Sequence, residues 1–250
     1  MEKAKFSFKG ILQNDGWRSN VVITINDNGF TTSIDSNNKT RNTENFDGYA
    51  IPGFQNAHSH AFQYAIAGLA EVHDISHTSD NFWSWRESMY ELALNVSPEQ
   101  MEAIATMLYS EMVRHGYTNV AEFHFVHHDK NGKQYNNLSE MGSRLISAAK
   151  TVGINITLVP IFCQKGGFGK APLEGQKRFI TTTIEEYLQL LEFSKNDCKE
   201  YDGANIGIGI HSMRVVEPKD IAELAKTGPR DIPFHIHISE QLKEIEDSIS

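Results

Sequence analysis

Cysteine is scarce in this chain. Only Cys163 and Cys198 occur in 250 residues, and no Cys-x-x-Cys pair is present. That argues against a disulfide framework and for a reducing compartment. Positive charge is also short: 23 Lys and Arg stand against 32 Asp and Glu, a formal net charge of −9. A nucleic-acid or anionic-membrane surface is therefore not expected. A small anionic substrate is not excluded, because local arginines can override net charge inside a pocket. No apolar run approaches the roughly 18 residues needed to span a bilayer. The start, Met1-Glu2-Lys3-Ala4-Lys5-Phe6, lacks the apolar core of a signal peptide. The expected location is the cytoplasm. No glycine-rich phosphate turn follows the first strand of the main domain. Lys165-Gly166-Gly167-Phe168-Gly169-Lys170 lacks the Gly-Lys-Ser/Thr ending of a phosphate loop and reads as a mobile loop near a site mouth. Asp129-Lys130-Asn131-Gly132 has too few ligands for a calcium loop and reads as a turn.

What is present is enough apolar material, 40%, for a sizeable core. Two regions differ in pattern. Residues 1–50 show short alternating runs, Lys5–Gly10, Val21–Ile25 and Phe30–Ile34, with a turn at Asn26–Gly29 and a polar loop from Asp35 to Asp47. They read as a small β-sandwich portion. From residue 51 to 250 strands and helices alternate. Strands are expected at 50–57, led in by a buried run Tyr49-Ala50-Ile51, then at 118–123, 154–162, 204–211 and 232–238. Helices are expected at 97–115, 139–152, 181–196, 217–227 and from Glu240 onward. Ser97, Pro98 and Gln100 form a capping box for the first of these helices, and Gly116 ends it. Such alternation argues a parallel sheet. Histidines collect at the C-terminal strand ends, where a (β/α)8 barrel places its active site. Five strands of eight are legible, so the barrel is incomplete within these residues.

The organising stretch is Pro52-Gly53-Phe54-Gln55-Asn56-Ala57-His58-Ser59-His60. Histidines two apart on a strand point to one face, and both imidazoles can reach one ion. The alternative is two polar residues in a loop. Further His positions follow at later strand ends, in His211-Ser212-Met213-Arg214 and His235-Ile236-His237-Ile238-Ser239-Glu240-Gln241.

With Ala61-Phe62-Gln63 added, the first stretch resembles the first-strand signature of the amidohydrolase superfamily. More narrowly, Phe82-Trp83-Ser84-Trp85-Arg86-Glu87, the Glu122–His128 run and the two stretches above resemble the formimidoylglutamate deiminase family. The resemblance implies an amidohydrolase-type (β/α)8 barrel holding one divalent metal, most often Zn2+, with His58, His60 and His237 as ligands. His237 is preferred over His235 because the family's His-x-x-Glu spacing runs from His237 to Glu240. It implies hydrolytic deimination of N-formimidoyl-L-glutamate to N-formyl-L-glutamate and ammonia, as in histidine degradation. Glu240 would be the proton shuttle, and His211 would serve both catalysis and substrate binding. Gln63, Arg86, Phe125 and Arg214 match substrate-binding positions, the two arginines suiting a small dicarboxylate. Phe125 stands where the family usually has Tyr.

Structural alternatives remain at several positions. Arg86 could stack on Trp83 or Trp85, Arg214 could pair with Glu217, and Glu240 could be an ordinary first-turn acid. His124, His127 and His128 read as structural. The resemblance places a further His and a metal-ligating Asp beyond Ser250, so the chain is expected to be inactive alone. Relatives in the family are often homodimers. The alternatives for function are a guanine-type aminohydrolase, to which a neutral purine would bring no call for two guanidinium groups, or an inactive truncated chain.

Overall fold

The computed structural model describes residues 4–36, 42–68 and 82–249, the side chains of the last stretch from residue 85. The chain divides into two compact units, 1–54 and 55–250.

In the first unit β1 (Ala4–Gln13) and β2 (Gly16–Ile25) form an antiparallel hairpin. Gly16 closes it at φ 113°, a conformation that favours glycine. β3 (Thr31–Ser36) adds antiparallel to β2, and β4 (Thr43–Asn45) and β5 (Tyr49–Ala50) add parallel to β1. Among the described residues this unit is one five-stranded layer. The expected polar loop at 35–47 contributes the end of β3 and all of β4. Tyr49–Ala50 therefore belongs to this sheet, not to the strand that carries the histidines. Tyr49 and Ile51 are exposed, against the expectation of a buried run.

The second unit is a six-stranded sheet covered by helices. Its strands are β6 (Phe54–Ser59), β7 (Tyr117–His124), β8 (Asn155–Phe162), β9 (Ala204–Ile206), β10 (Ile208–Ser212) and β11 (Phe234–His237). The order is β11-β10-β8-β7-β6, with β9 on β8. β7, β8, β10 and β11 run parallel. The expected strand at 204–211 is split at Gly207 into β9 and β10. The helices are α1 (Phe82–Asn95), α2 (Pro98–Arg114), α3 (Glu140–Val152), α4 (Ile184–Cys198), α5 (Pro218–Thr227) and α6 (Leu242–Ile249). A 3-10 turn at Ala61–Ile66 follows β6.

Local chemistry accounts for these elements. Ser97 and Gln100 make the reciprocal capping box at the start of α2. β8 is buried over most of its length and almost wholly apolar, as a central parallel strand must be. The core runs between sheet and helices through Tyr109, Val120, Ile156, Leu158, Tyr187 and Leu224. Tyr187 ties α4 to the sheet: its hydroxyl donates to the Pro160 carbonyl at 3.0 Å and accepts the Gly209 N–H at 3.0 Å. The result is a curved five-strand run of an α/β barrel whose strand ends meet in one cavity.

Candidate active site

β6 ends on His58 and Ser59, and the chain turns at His60 into the 3-10 turn. The i, i+2 spacing sends both imidazoles to one side. The His58 and His60 Nε2 atoms are 3.0 Å apart. His237, the last residue of β11, brings its Nε2 to 3.0 Å from that of His58. Zn–N bonds of about 2.0–2.1 Å at tetrahedral angles put ligand nitrogens about 3.3 Å apart. The tripod therefore has the size a zinc-like ion needs.

Its protonation also suits a metal. The His60 Nδ1–H donates to the Phe123 carbonyl at 2.9 Å, which leaves Nε2 as a lone pair facing the tripod. Burial holds the His60 pKa down to about 3, with the neighbouring imidazoles adding to the effect. Burial likewise lowers His237 to about 4, while the His211 backbone beside it works the other way. His58 is lowered by the same cause. Neutral imidazoles are the form that binds metal.

Around the tripod lies a cavity of about 270 Å³ lined by Gln63, Arg86, Phe125, His211, Arg214 and Glu240, along with His60 and His237. His211 sits where the pairing of β10 with β11 shifts register, an irregularity of the kind that re-aims a side chain. Burial first, then the charges of His237 and Arg214, hold its imidazole neutral. The Phe123 ring packs against the tripod, tilted by 36° to the His237 ring with centroids 4.2 Å apart. Past β11, Ser239 adopts φ 57°, rare for a residue with a side chain, and this turn swings Glu240 back over the strand ends. Arg214 donates to Glu240 at 2.6 Å and to Glu244 at 3.2 Å. Glu244 also accepts the Glu240 N–H at 3.0 Å. Glu217, the partner considered for Arg214, instead meets Lys165 at 2.6 Å.

Arg86, on α1, lies 5.6 Å from the centroid of the Tyr90 ring, an aromatic contact that the sequence did not suggest. Trp85 lines the cavity, and the Trp83 side chain is outside the described residues. The loop 165–170 does reach the cavity, through Gly166, Gly167, Phe168 and Lys170. His127 and His128 bond the carbonyls of Ile161 and Ile180, away from the tripod.

A family model for the amidohydrolase family matches residues 49–250. The chain belongs to the amidohydrolase family. It is 44% identical over 234 residues, 93% of its length, to a formimidoylglutamate deiminase from Pseudomonas aeruginosa, of which it covers 51%. A crystal structure of an amidohydrolase from Brucella melitensis superposes with a TM-score of 0.91 at 42% identity, over 98% of this chain and 54% of that one. An adenosine deaminase from Xanthomonas campestris with bound zinc shares the fold at a TM-score of 0.69 and 15% identity, over 98% of this chain and 51% of that one. The chain thus spans about half the length of these relatives.

Within this amidohydrolase the cavity gathers every residue that the resemblance implied for the site except His58, the exposed member of the tripod. Sequence reasoning missed Glu244 and Glu122. Glu244 had a signal, four residues after Glu240 in the helix expected from Glu240 onward. Glu122 had none, because a glutamate within an apolar strand shows no partner until the fold supplies Tyr109 and Ala61.

Proposed function

We propose that these residues form the site of a metal-dependent deiminase that converts N-formimidoyl-L-glutamate and water to N-formyl-L-glutamate and ammonia. The observation that carries this reading is the presence of Arg86 and Arg214 on the same cavity as His60 and His237, two of the three imidazoles of the tripod. Two guanidinium groups match a dicarboxylate. The similarity to a formimidoylglutamate deiminase supports it.

A divalent ion held by His58, His60 and His237, most simply zinc, supplies a Lewis acid that makes water a nucleophile near neutral pH. The rest falls to the chain. Arg86 and Arg214 bind the two substrate carboxylates and so direct the formimino carbon toward the tripod. A guanidinium carries five N–H donors, so Arg214 can orient Glu240 and hold a carboxylate together. Glu240 takes a proton from the attacking water and passes it to the nitrogen that leaves as ammonia. His211, neutral, hydrogen-bonds the substrate as the carbon becomes tetrahedral. Phe125 and Phe123 keep the reacting end dry, where each polar contact counts for more.

Ammonia release from N-formimidoyl-L-glutamate by the full-length protein loaded with zinc tests the reading. Arg86→Met or Arg214→Met is expected to lower kcat/KM by about ten- to a hundredfold, from charge-assisted bonds of about 1.5–3 kcal/mol. Turnover unchanged in Arg86→Met would rule out the dicarboxylate.

A further inference from the structure

The proposed chemistry leaves one buried acid unused. Glu122 lies on β7, 1% exposed, on the face turned toward α2. Its Oε1 accepts the Ala61 N–H at 2.6 Å, and its Oε2 accepts the Tyr109 hydroxyl at 3.1 Å. The Ser59 hydroxyl bonds the same carboxylate. Burial pushes its pKa up to about 7, with the three bonds working against that rise. A carboxyl in such a place is costly, and an apolar side chain would fill the layer between sheet and helix more cheaply.

What the carboxyl gains is a grip on one short piece of chain. Ser59 and Ala61 flank His60 on either side. The next residue of β7, Phe123, gives its carbonyl to the His60 ring at 2.9 Å. Two consecutive residues of one strand thus hold His60, one by its imidazole and one by the backbone around it. β6 has ended at this point, so the sheet ladder no longer fixes His60.

We infer that Glu122 is a positioning residue for the metal ligand His60: its carboxylate clamps residues 59 and 61 so that the imidazole is delivered to the tripod. This rests on the metal reading above. Metal sites tolerate little slack, and groups behind the ligands commonly govern affinity.

The test is zinc affinity by competition with a chromogenic chelator, measured beside the thermal midpoint, on the full-length protein. Glu122→Asp withdraws the carboxylate from Ala61 by one methylene and is expected to weaken zinc binding about tenfold. Glu122→Gln keeps an oxygen for the Ala61 N–H and is expected to stay within about twofold of the parent. Tyr109→Phe removes a bond on the helix side alone, and is expected to lower the midpoint with affinity unchanged. Should Glu122→Asp fail to fold, Ser59→Ala, which loses one bond of three, is expected to weaken zinc about threefold. Parent-like zinc affinity in Glu122→Asp, or in Ser59→Ala where the first cannot be read, overturns the positioning role. Absence of zinc binding by the parent overturns the metal reading and this inference with it.

Discussion

Replacing Arg178 by Met would strike the joint that holds α1 to the rest of the second unit. Arg178 is fully buried. Its Nε donates to the His128 carbonyl at 2.7 Å, and its Nη1 donates to the carbonyls of Ala93 at 2.5 Å and Val96 at 2.8 Å. Ala93 lies in the last turn of α1 and Val96 just beyond it. Carbonyls there have no partner inside the helix, and a cation also meets the negative end of the helix dipole. Its own carbonyl accepts the N–H groups of His127 and His128. Methionine fills a similar path and bonds nothing, so three buried carbonyls lose their donors at about 1–3 kcal/mol each. Against this, the guanidinium no longer has to be desolvated, a cost visible in its lowered pKa. The two effects leave an expected net loss of about 3 kcal/mol, near the lower end of the gross range. Urea unfolding at pH 7 reads it as a fall in midpoint with the slope unchanged. Arg178→Lys, with one nitrogen for three acceptors, should lie between. Because α1 carries Arg86, the folded Met variant should also bind the proposed dicarboxylate more weakly. A stability within about 0.5 kcal/mol of the parent, well below the smallest value expected for even one orphaned carbonyl, would refute the reasoning.

Three further outcomes are expected. His237→Ala should lose zinc on dialysis while His235→Ala retains it, as elemental analysis of the purified proteins will report. Leu158→Ala, in the centre of β8 and fully buried, should cost about 2–5 kcal/mol in the same urea assay. Stability should fall with acid: burial lowers His124 to about 3, so below the unfolded value of 6.5 the unfolded chain takes up a proton that the folded chain refuses. That loss is about 2 kcal/mol at pH 5, it continues down toward pH 3, and His124→Phe should flatten it. Glu122 has the opposite sign. Its raised pKa of about 7 makes the folded state hold a proton longer, so its contribution to stability falls as pH rises from about 4.5 to 7, and Glu122→Gln should remove that fall.

The parts of this architecture that declare themselves in the sequence are those set by nearby residues. The capping box at Ser97 is complete within four residues, and β8 is one apolar run. The tripod's first two members need nothing beyond the two-residue period of a strand. Boundaries failed where pairing partners decide them. Tyr49–Ala50 joins β1 because Pro52 and Gly53 separate it from β6, and no local pattern states which sheet a two-residue strand enters. The choice of His237 over His235 came from a family spacing. The structure places His237 in the tripod because β11 ends there and its last side chain clears the strand ends. Glu122 and Arg178 were silent for a common reason. A buried charged residue looks like a surface one until distant partners, such as Ala61 for Glu122 and Ala93 for Arg178, 61 and 85 residues away, are in place.

Two of the tripod's nitrogens, those of His58 and His237, come from β6 and β11, the two ends of the five-strand run, and these residues are 179 apart along the chain. Such an arrangement works as a caliper. The intervening strands are the frame, the histidines are the jaws, and the gap between the jaws is a measure of how far the whole frame bends. A side chain at Gly209, where a Cβ would strike Ile161, would spread the frame at its middle and open the jaws without touching a ligand. On the proposed reading, metal affinity would then report how the sheet is bent, and residues buried in the middle of the sheet would set its calibration.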